Sequence, residues 1–435
     1  MRFLARAARF SLAVPGNRRY AVSGEATGSK PARCATLKSV PPLTFLQARE
    51  SVLHHVATGH IPPTETVDLH NALRRVLAED VAADRDSPAL SRSVRDGFAV
   101  HACDLPGTLR VVGEVRAGEL YTGAVAAGEA VEIMTGAPLP SGADAVVMVE
   151  YTVRDGDEVR IDQPAEPGQN INPRGCEAAA GEILLRAGKR LEYTDIALLA
   201  SVGRSQVRVY RKPVAAIVST GDEVVEVRAT PRDFQVRNSN AYSLAAQVSR
   251  AGGRARILPV ARDTLDHTRQ IVESGLESDL LLLSGGVSAG KYDVVEQVLA
   301  EMGATFYFDR VLIQPGQPVV FGSVAGKFFF GLPGNPSSTM VTFEVFGRAA
   351  LQLLGGQTEV SLPMPYARLT SDFRHRAGLT RFLPARLSPD GSEVTPVAWH
   401  GSADIAAMTR ANAFLVADAA RSEYPAGELI RVLLQ

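Results

Sequence analysis

The sequence predicts a multidomain α/β protein. Its centre is a three-layer α/β domain with a mostly parallel sheet, flanked by small β-rich domains, the C-terminal one barrel-like. Three observations predict this. Between residues 214 and 354, short apolar runs alternate with stretches of helical period, the signature of βαβ units. One run, LLLL at 280–283, is unbroken, as in a strand buried on both faces of a parallel sheet. On either side, residues 91–153 and 362–435 carry short Val-rich runs between Gly and Pro turns, without helical periodicity.

Composition bounds the possibilities. A chain of 435 residues suits about three domains. Hydrophobic content of 46% and charged content of 21% describe an ordinary globular protein with ample core. A formal net charge of −1 gives no drive toward nucleic acid or an anionic membrane. No apolar run approaches the roughly 20 residues that span a bilayer. Cys34, Cys103 and Cys176 form no C-x-x-C pair, which argues against a zinc knuckle or a dithiol centre and for a reducing, cytoplasmic setting. The adjacent His54 and His55 lack metal-ligand spacing. Residues 1–42 are expected to be a disordered extension. Their Arg-rich start resembles a targeting presequence, but its apolar run is short and broken by Arg6, Arg9 and Pro15.

The elements follow in order. Phe45, Ala48, Val52, Leu53 and Val56 share one helical face, so 43–56 reads as a helix, and 72–78 as a second, short one. A β-rich domain over 83–180 holds two notable loops. SRSVRDGFAV carries Asp96 before Gly97, and MTGAPLPSGAD carries Thr135; both also fit plain turns. The polar loop PGQNINPRGCEAAAGE contains Glu177. A helix at 195–201 and a strand at 206–210 precede a boundary at Lys212-Pro213. In the α/β domain, 212–360, strands are expected at 214–218, 257–260, 280–283, 306–308, 319–322 and 328–330. Helices are expected at 242–251, at 264–274 capped by Asp263, from about Asp293, and from Ser337 to Gly355-Gly356. The C-terminal β domain covers 361–435.

The chemistry concentrates in LLLLSGGVSAGKYDVVEQVLAEM, residues 280–302. Strand, glycine loop, helix is the arrangement that offers bare backbone N–H groups to an anion. Gly285 and Gly286 permit a sharp turn and a close ligand approach. The neighbouring strands end in STGDE, ARD and GLPGNPSS, and open parallel sheets bind ligands at the carboxyl ends of their strands. Asp222, Glu223, Asp263 and Asp293 would repel an anion there unless a hard cation lay between. Mg²⁺ held by carboxylates and substrate phosphate resolves the conflict and would polarise a phosphoanhydride. The residues alone thus point to a Mg²⁺-dependent enzyme acting on a phosphorylated or nucleotide-linked ligand. The plainer alternative is that Asp263 and Asp293, the latter with Glu296 in a D-x-x-E box, only cap helices, at about 1 kcal/mol each.

The set SxxDGFAV, EIMTGAPLPSGADAVV, STGDEV, RNSN, SGGVSAGKYD, QPGQP, GLPGNPSS and HGSAD closely resembles the molybdopterin molybdenumtransferases, the molybdenum insertases related to the gephyrin E-domain. The resemblance covers about 43–435. It implies that the chain takes molybdate and adenylated molybdopterin as substrates, cleaves the phosphoanhydride, inserts molybdenum into the dithiolene and releases AMP, with Mg²⁺. It implies an elongated homodimer with sites shared between subunits, and partners among the molybdopterin adenylyltransferase and the molybdoenzymes. It also implies that 43–82 and 181–211 join as one split linker and dimerisation domain.

By motif, Asp96, Thr135, Glu223, Asp263 and Asp293 match the family's functional positions, with Asp222 and Glu177 as flanking acids. Asp222, Glu223 and Asp293 are the implied Mg²⁺ ligands. Ser284, Gly285, Gly286 and Ser288, with Gly334, Asn335, Pro336 and Ser337, match the pterin-phosphate loops. Gln314 and Gln317 stand where the family often has lysine; a neutral amide hydrogen-bonds an oxyanion without neutralising it. Arg310, Arg381 and Ser402 are the candidates to supply the remaining oxyanion contacts. An alternative reading is a molybdopterin-binding scaffold or a weakened paralogue with lost or altered oxyanion use, such as tungstate.

Overall fold

The computed structural model describes residues 41–58, 62–286 and 294–435. The central sheet has six strands in the order Arg254–Ile257, Val214–Ser219, Leu280–Ser284, Lys327–Leu332, Val320–Val324, Thr305–Phe308. The first four are parallel; Val320–Val324 runs antiparallel to both of its neighbours. Alternate residues of the middle strands feed opposite layers. Ala215, Ile217, Leu280, Leu282 and Phe330 pack under the helices Ser239–Arg250 and Pro336–Thr342. Ala216, Val218, Leu281, Leu283 and Phe329 pack under Leu265–Gly275 and Val294–Glu301. Leu280, Leu281, Leu282 and Leu283 are all fully buried, which is why the run has no polar alternation.

Local detail departs from the sequence expectation in four places. The stretch 72–78 is not a helix. Arg74 takes φ 62°, and the backbone of Leu77 and Ala78 donates to Lys189 and Arg208 carbonyls, so its polar groups are satisfied across to remote segments. The strand expected at 257–260 lies at Arg254–Ile257, beside Val214–Ser219. Asp263 does not cap the following helix. Its N-cap is Thr264, with no side-chain cap bond, and Asp263 turns toward Asp222 instead. The long helix from Pro336 widens into a π-helical turn at Phe343–Gly347 before continuing as Arg348–Leu354. Glu344 in that turn is buried and paired with Arg250 and Arg348. Asp293 and its expected cap lie outside the described residues, as does most of the N-terminal extension, 1–40.

The flanking parts are β-rich. A six-stranded sheet holds Gly97–Val100 between Ala145–Met148 and Glu129–Ile133. At the other end of the chain, Thr380–Leu387, Glu393–Pro396, Tyr366–Leu369, Leu429–Leu434 and Ala413–Ala417 pair in series. A further pairing of Thr380–Leu387 with Ala413–Ala417 closes them into a barrel. A small unit pairs Thr64–Asp68 with Gln206–Tyr210 and Val81–Ala82 with Ile183–Leu185. The helix Phe45–Ala57 opens with a capping box between Thr44 and Gln47. It buries Phe45, Ala48, Val52 and Val56 in the α/β core, not in the small unit with which the sequence groups it. Among the described residues no helix is long and apolar enough to cross a membrane.

Candidate active site

The carboxyl ends of the parallel strands converge, and one side chain ties them together. Asn240, in the first turn of Ser239–Arg250, donates through Nδ2 to Ser284 Oγ at 2.9 Å and to the Gly334 carbonyl at 2.7 Å. The helix is positioned by Asn238, whose side chain caps Ala241 N–H and accepts from Ser219 Oγ. The RNSN motif therefore fixes the loops after three strands relative to one another. Nothing in the motif itself marks Asn240, because both of its partners are remote in sequence.

The glycines of the loop are required by their neighbours. A Cβ on Gly285 (φ +94°) would come within 2.9 Å of the Thr220 carbonyl oxygen. One on Gly286 (φ +61°) would meet Thr220 Oγ1 at 2.8 Å and Val295 at 2.9 Å. The amide of Gly285 is spent on the Leu332 carbonyl at 3.0 Å. The backbone amides of Gly286, Gly334 and Asn335 donate to no other described residue, so they are the donors free for an anion. Ser288 lies outside the described residues.

Acids sit at the next strand ends. Asp222 and Asp263 each accept the other's backbone N–H at 3.4 Å, which brings their carboxylates to one edge. Gly221 (φ +126°) lets the Glu223 carboxylate fold back, for a Cβ there would lie 2.5 Å from Glu223 Oε2. Thr220 Oγ1 is buried without a partner beside the glycine loop, a further hard oxygen donor. Just past that loop, burial first and the Asp309 charge second push the Glu296 carboxyl up to about 7. Among the described residues no group of three or more His, Cys, Asp or Glu side chains could by itself hold a metal ion.

The C-terminal barrel closes on this edge. The Ser402 carbonyl accepts from both the amide (3.0 Å) and the hydroxyl (2.8 Å) of Ser337, and Ser402 Oγ accepts from Asn335 Nδ2 at 2.7 Å. Ser337 is thus committed to docking the barrel loop. Gln314 stands in register with Arg381 on the barrel strand Thr380–Leu387. Arg381 Nε is buried with no hydrogen-bond partner. The Arg310 carbonyl accepts from Leu43 N–H, and that of Gln317 from Val311 N–H, bonds that fix the backbone on either side of Gln314.

Asp96 and Thr135 form a separate centre in the β-rich domain. Asp96 Oδ1 accepts from the Thr135 amide at 2.6 Å and from its hydroxyl at 2.7 Å. These bonds hold the exposed Asp96 carboxyl below its usual range. Among the described residues no hydrogen bond joins this pair to the sheet-edge loops. Glu177, in the same domain, is held by Ser87 Oγ at 2.9 Å and Arg92 at 2.5 Å.

Comparison with known proteins follows this anatomy. Residues 43–203 match the MoeA N-terminal region (domain I and II), 216–353 a probable molybdopterin binding domain, and 366–435 the MoeA C-terminal region (domain IV). The chain is 32% identical over 399 residues to the molybdopterin molybdenumtransferase of Staphylococcus aureus (strain MSSA476), covering 89% of this chain and 95% of that one. Identity to the same-named protein of Staphylococcus epidermidis (strain RP62A) is 32% over 404 residues, 90% and 96% of the two chains. A crystal structure of the molybdopterin biosynthesis moeA protein from Pyrococcus horikoshii OT3 superposes with a TM-score of 0.77 at 27% identity, over 91% of this chain and 100% of that chain. Another structure of a molybdopterin biosynthesis moea protein from Pyrococcus horikoshii gives 0.70 at 30% identity, over 90% and 99%. With three family regions matched in order along the chain and about a third of its residues identical to curated members, this chain belongs to the MoeA family of molybdenum cofactor biosynthesis enzymes, the molybdopterin molybdenumtransferases.

Proposed function

We propose that this chain takes adenylated molybdopterin and molybdate, cleaves the phosphoanhydride, inserts molybdenum into the dithiolene and releases AMP. The observation that carries the reading is the Asn240 bridge. It sets the Ser284 and Gly334 loops side by side, and with them the free amides of Gly286, Gly334 and Asn335. In this reading Gly286, Gly334 and Asn335 amides hold the pterin phosphates, and Ser284 orients that cradle through Asn240.

A divalent ion suits this donor set. Asp222 and Asp263 at one edge, with Glu223 and the unpartnered Thr220 hydroxyl on adjoining residues, are hard oxygen donors that form no metal cage alone and would need a substrate phosphate to complete one, as Mg²⁺ commonly does. Asp222, Glu223 and Asp293 are the residues to hold it. When bound, Mg²⁺ would neutralise the crowded phosphates and polarise the anhydride. Asp263 keeps Asp222 in place through the paired amide bonds. Arg381, with its buried and unpartnered Nε, supplies the positive charge that Gln314 lacks, and both hold the oxyanion with Gln317, Arg310 and Ser402.

Asp96 and Thr135 complete the site from a second subunit of a homodimer, which explains why a bonded pair of polar groups is displayed at an exposed loop. The exposed free thiols of Cys103 and Cys176 suit a reducing, cytoplasmic setting. In this reading the molybdopterin adenylyltransferase supplies the substrate and molybdoenzymes take the product.

The test is AMP release from adenylated molybdopterin, expected only when molybdate and Mg²⁺ are both present. Folded protein that releases no AMP in response to molybdate would leave the scaffold reading in its place. Running tungstate beside molybdate, with Gln314→Lys and Gln317→Lys variants, reads the oxyanion preference. Sharing between subunits is tested by mixing inactive Asp96→Asn and Glu223→Gln chains. Random reassociation should restore about a quarter of the sites, because half the dimers are mixed and each carries one intact site. No recovery after subunit exchange would confine each site to one chain.

A further inference from the structure

The turn that follows Glu223 displays an aromatic ring outside every hydrophobic cluster. Val224–Val225 and Val236–Arg237 pair in parallel, and residues 226–235 fold back between them. Phe234, near the end of that turn, is 68% exposed, the most exposed large apolar side chain described in the α/β domain. Val227 and Val236 on the same turn are exposed too. Phe234 meets no other ring among the described residues.

The ring stands on a firm base. The Arg232 amide donates to Gln235 Oε1 at 3.1 Å, and the Gln235 amide donates to the Arg232 carbonyl at 2.9 Å. The residues that bracket Asp233 and Phe234 therefore bond each other twice. Arg237 Nε donates to the Ala229 carbonyl at 3.1 Å. The Val236 amide donates to the Glu223 carbonyl and the Asn238 amide to the Val225 carbonyl, both at 2.9 Å. The turn is thus tied to Glu223 on one side. On the other it is tied to Asn238, which caps the helix that carries Asn240. Arg228 and Arg232, both exposed, add two guanidinium groups with no ion pair among the described residues.

Fold stability accounts for these bonds but not for the ring. An exposed phenylalanine leaves apolar surface in water, and a polar residue would serve the turn as well. A protein interface suits the turn poorly. A stable one takes about 20–30 residues a side and keeps charge out of its core, whereas here three apolar side chains stand among arginines. A planar heterocycle joined to phosphate suits it better, because the ring face stacks on Phe234 while the guanidinium groups meet the negative charge. We propose that Phe234 is a stacking platform for a planar heterocycle of the substrate, adenine or pterin. This rests on the reading that the sheet-edge loops hold a nucleotide-linked ligand, and it adds where one of the rings lies. Phe234 then sets specificity for that ring, while the loop amides hold the phosphates.

The experiment is calorimetric titration of the full chain, in magnesium buffer, with AMP, 6-carboxypterin and ribose 5-phosphate. Phe234→Leu keeps the apolar bulk and removes the π face; Phe234→Tyr keeps the face. One ring compound should lose about tenfold in affinity in Phe234→Leu, the order that a single base–aromatic stack contributes, and regain it in Phe234→Tyr. Ribose 5-phosphate, which has no planar base, should bind both variants and wild type alike. Tyr193→Leu, at an exposed ring on the helix Tyr193–Ser201, should change nothing. Melting midpoints should not move, so lost binding is not lost folding. Weakened AMP identifies adenine as the stacked ring, and weakened carboxypterin identifies the pterin. In either case KM for adenylated molybdopterin should rise in step, with little change in kcat. Unchanged affinity for both ring compounds in Phe234→Leu overturns the platform, as does a wild type that binds neither. AMP release in response to molybdate is measured on the same wild-type protein. Its absence sinks the proposed reaction, whereas release with unchanged ring affinities sinks the platform alone.

Discussion

The sheet-edge loops and the Asp96–Thr135 loop are both candidate halves of one site, yet they are built in opposite ways. At the sheet edge, Ser284 is 3% exposed, Asn240 spans two loops, and Gly285 and Gly286 have no room for a Cβ. The geometry there is a by-product of packing. In the β-rich domain, Asp96 and Thr135 are exposed and held by two short bonds to a single carboxylate oxygen. The second oxygen accepts from no described residue. One half is shaped by the fold; the other is displayed on it. Substitutions in the first half should therefore cost stability and activity together, and those in the second should cost activity alone.

Gly285→Ala should give the largest effect. The added methyl meets a backbone oxygen at 2.9 Å on a residue with φ +94°, so the loop itself must move. Strain of this kind costs about 1–3 kcal/mol. Displacing a cradle by an ångström costs about a hundredfold in rate. A lower denaturation midpoint with near-complete loss of AMP release is expected. Wild-type values for both would show that this loop tolerates movement and that packing does not define the half-site.

Asn240→Ala is the intermediate case. It leaves Ser284 Oγ and the Gly334 carbonyl without their donor, at about 1–3 kcal/mol for groups left unsatisfied. AMP release should fall by less than in Gly285→Ala, because the glycine turn keeps its shape. Equal losses of activity with no loss of stability would place Asn240 in contact with substrate instead of behind the loops.

The same contrast separates what was legible in the sequence from what was not. The sheet-edge loops could be read because each follows an apolar run whose period marks a strand end, as at Leu280–Ser284 and Val214–Ser219. Asp96 and Thr135 were carried by motif, since an exposed carboxylate and an exposed hydroxyl leave no mark in the hydrophobic period. Features that depend on remote partners were not visible. The stretch 72–78 looks helical by composition, but its backbone bonds go to 189 and 208. Asp263 looks like a cap, but its partner Asp222 arrives in the turn after a parallel neighbouring strand. Asn240 acts on residues 284 and 334, and Glu344, buried in a π-turn, is paired with the remote Arg250 as well as with Arg348 one turn on. In each case a non-local bond overrode the local signal.

The smallest effect on stability, and the sharpest use of the contrast, lies at Asp96. Its carboxyl is held below the usual range, first by the Thr135 amide and next by the Thr135 hydroxyl. A depressed carboxylate pKa contributes stability that is present above the unfolded value and lost as pH falls through the folded one. The Asp96–Thr135 bonds should thus persist through neutral and mildly acidic pH and fail only below the ordinary carboxylate range. Asp96→Asn keeps an acceptor oxygen but removes the charge, and Thr135→Val removes the hydroxyl while keeping the amide. Both variants should show denaturation midpoints only slightly below wild type and reduced AMP release. Thr135→Ser, which retains both donors, should stay close to wild type. The rate-against-pH profile decides what the charge does. If Asp96 acts as an anion, its acid limb should move to higher pH when Thr135→Val removes one stabilising bond. An acid limb that does not move would make Asp96 a holder of Thr135 and nothing more.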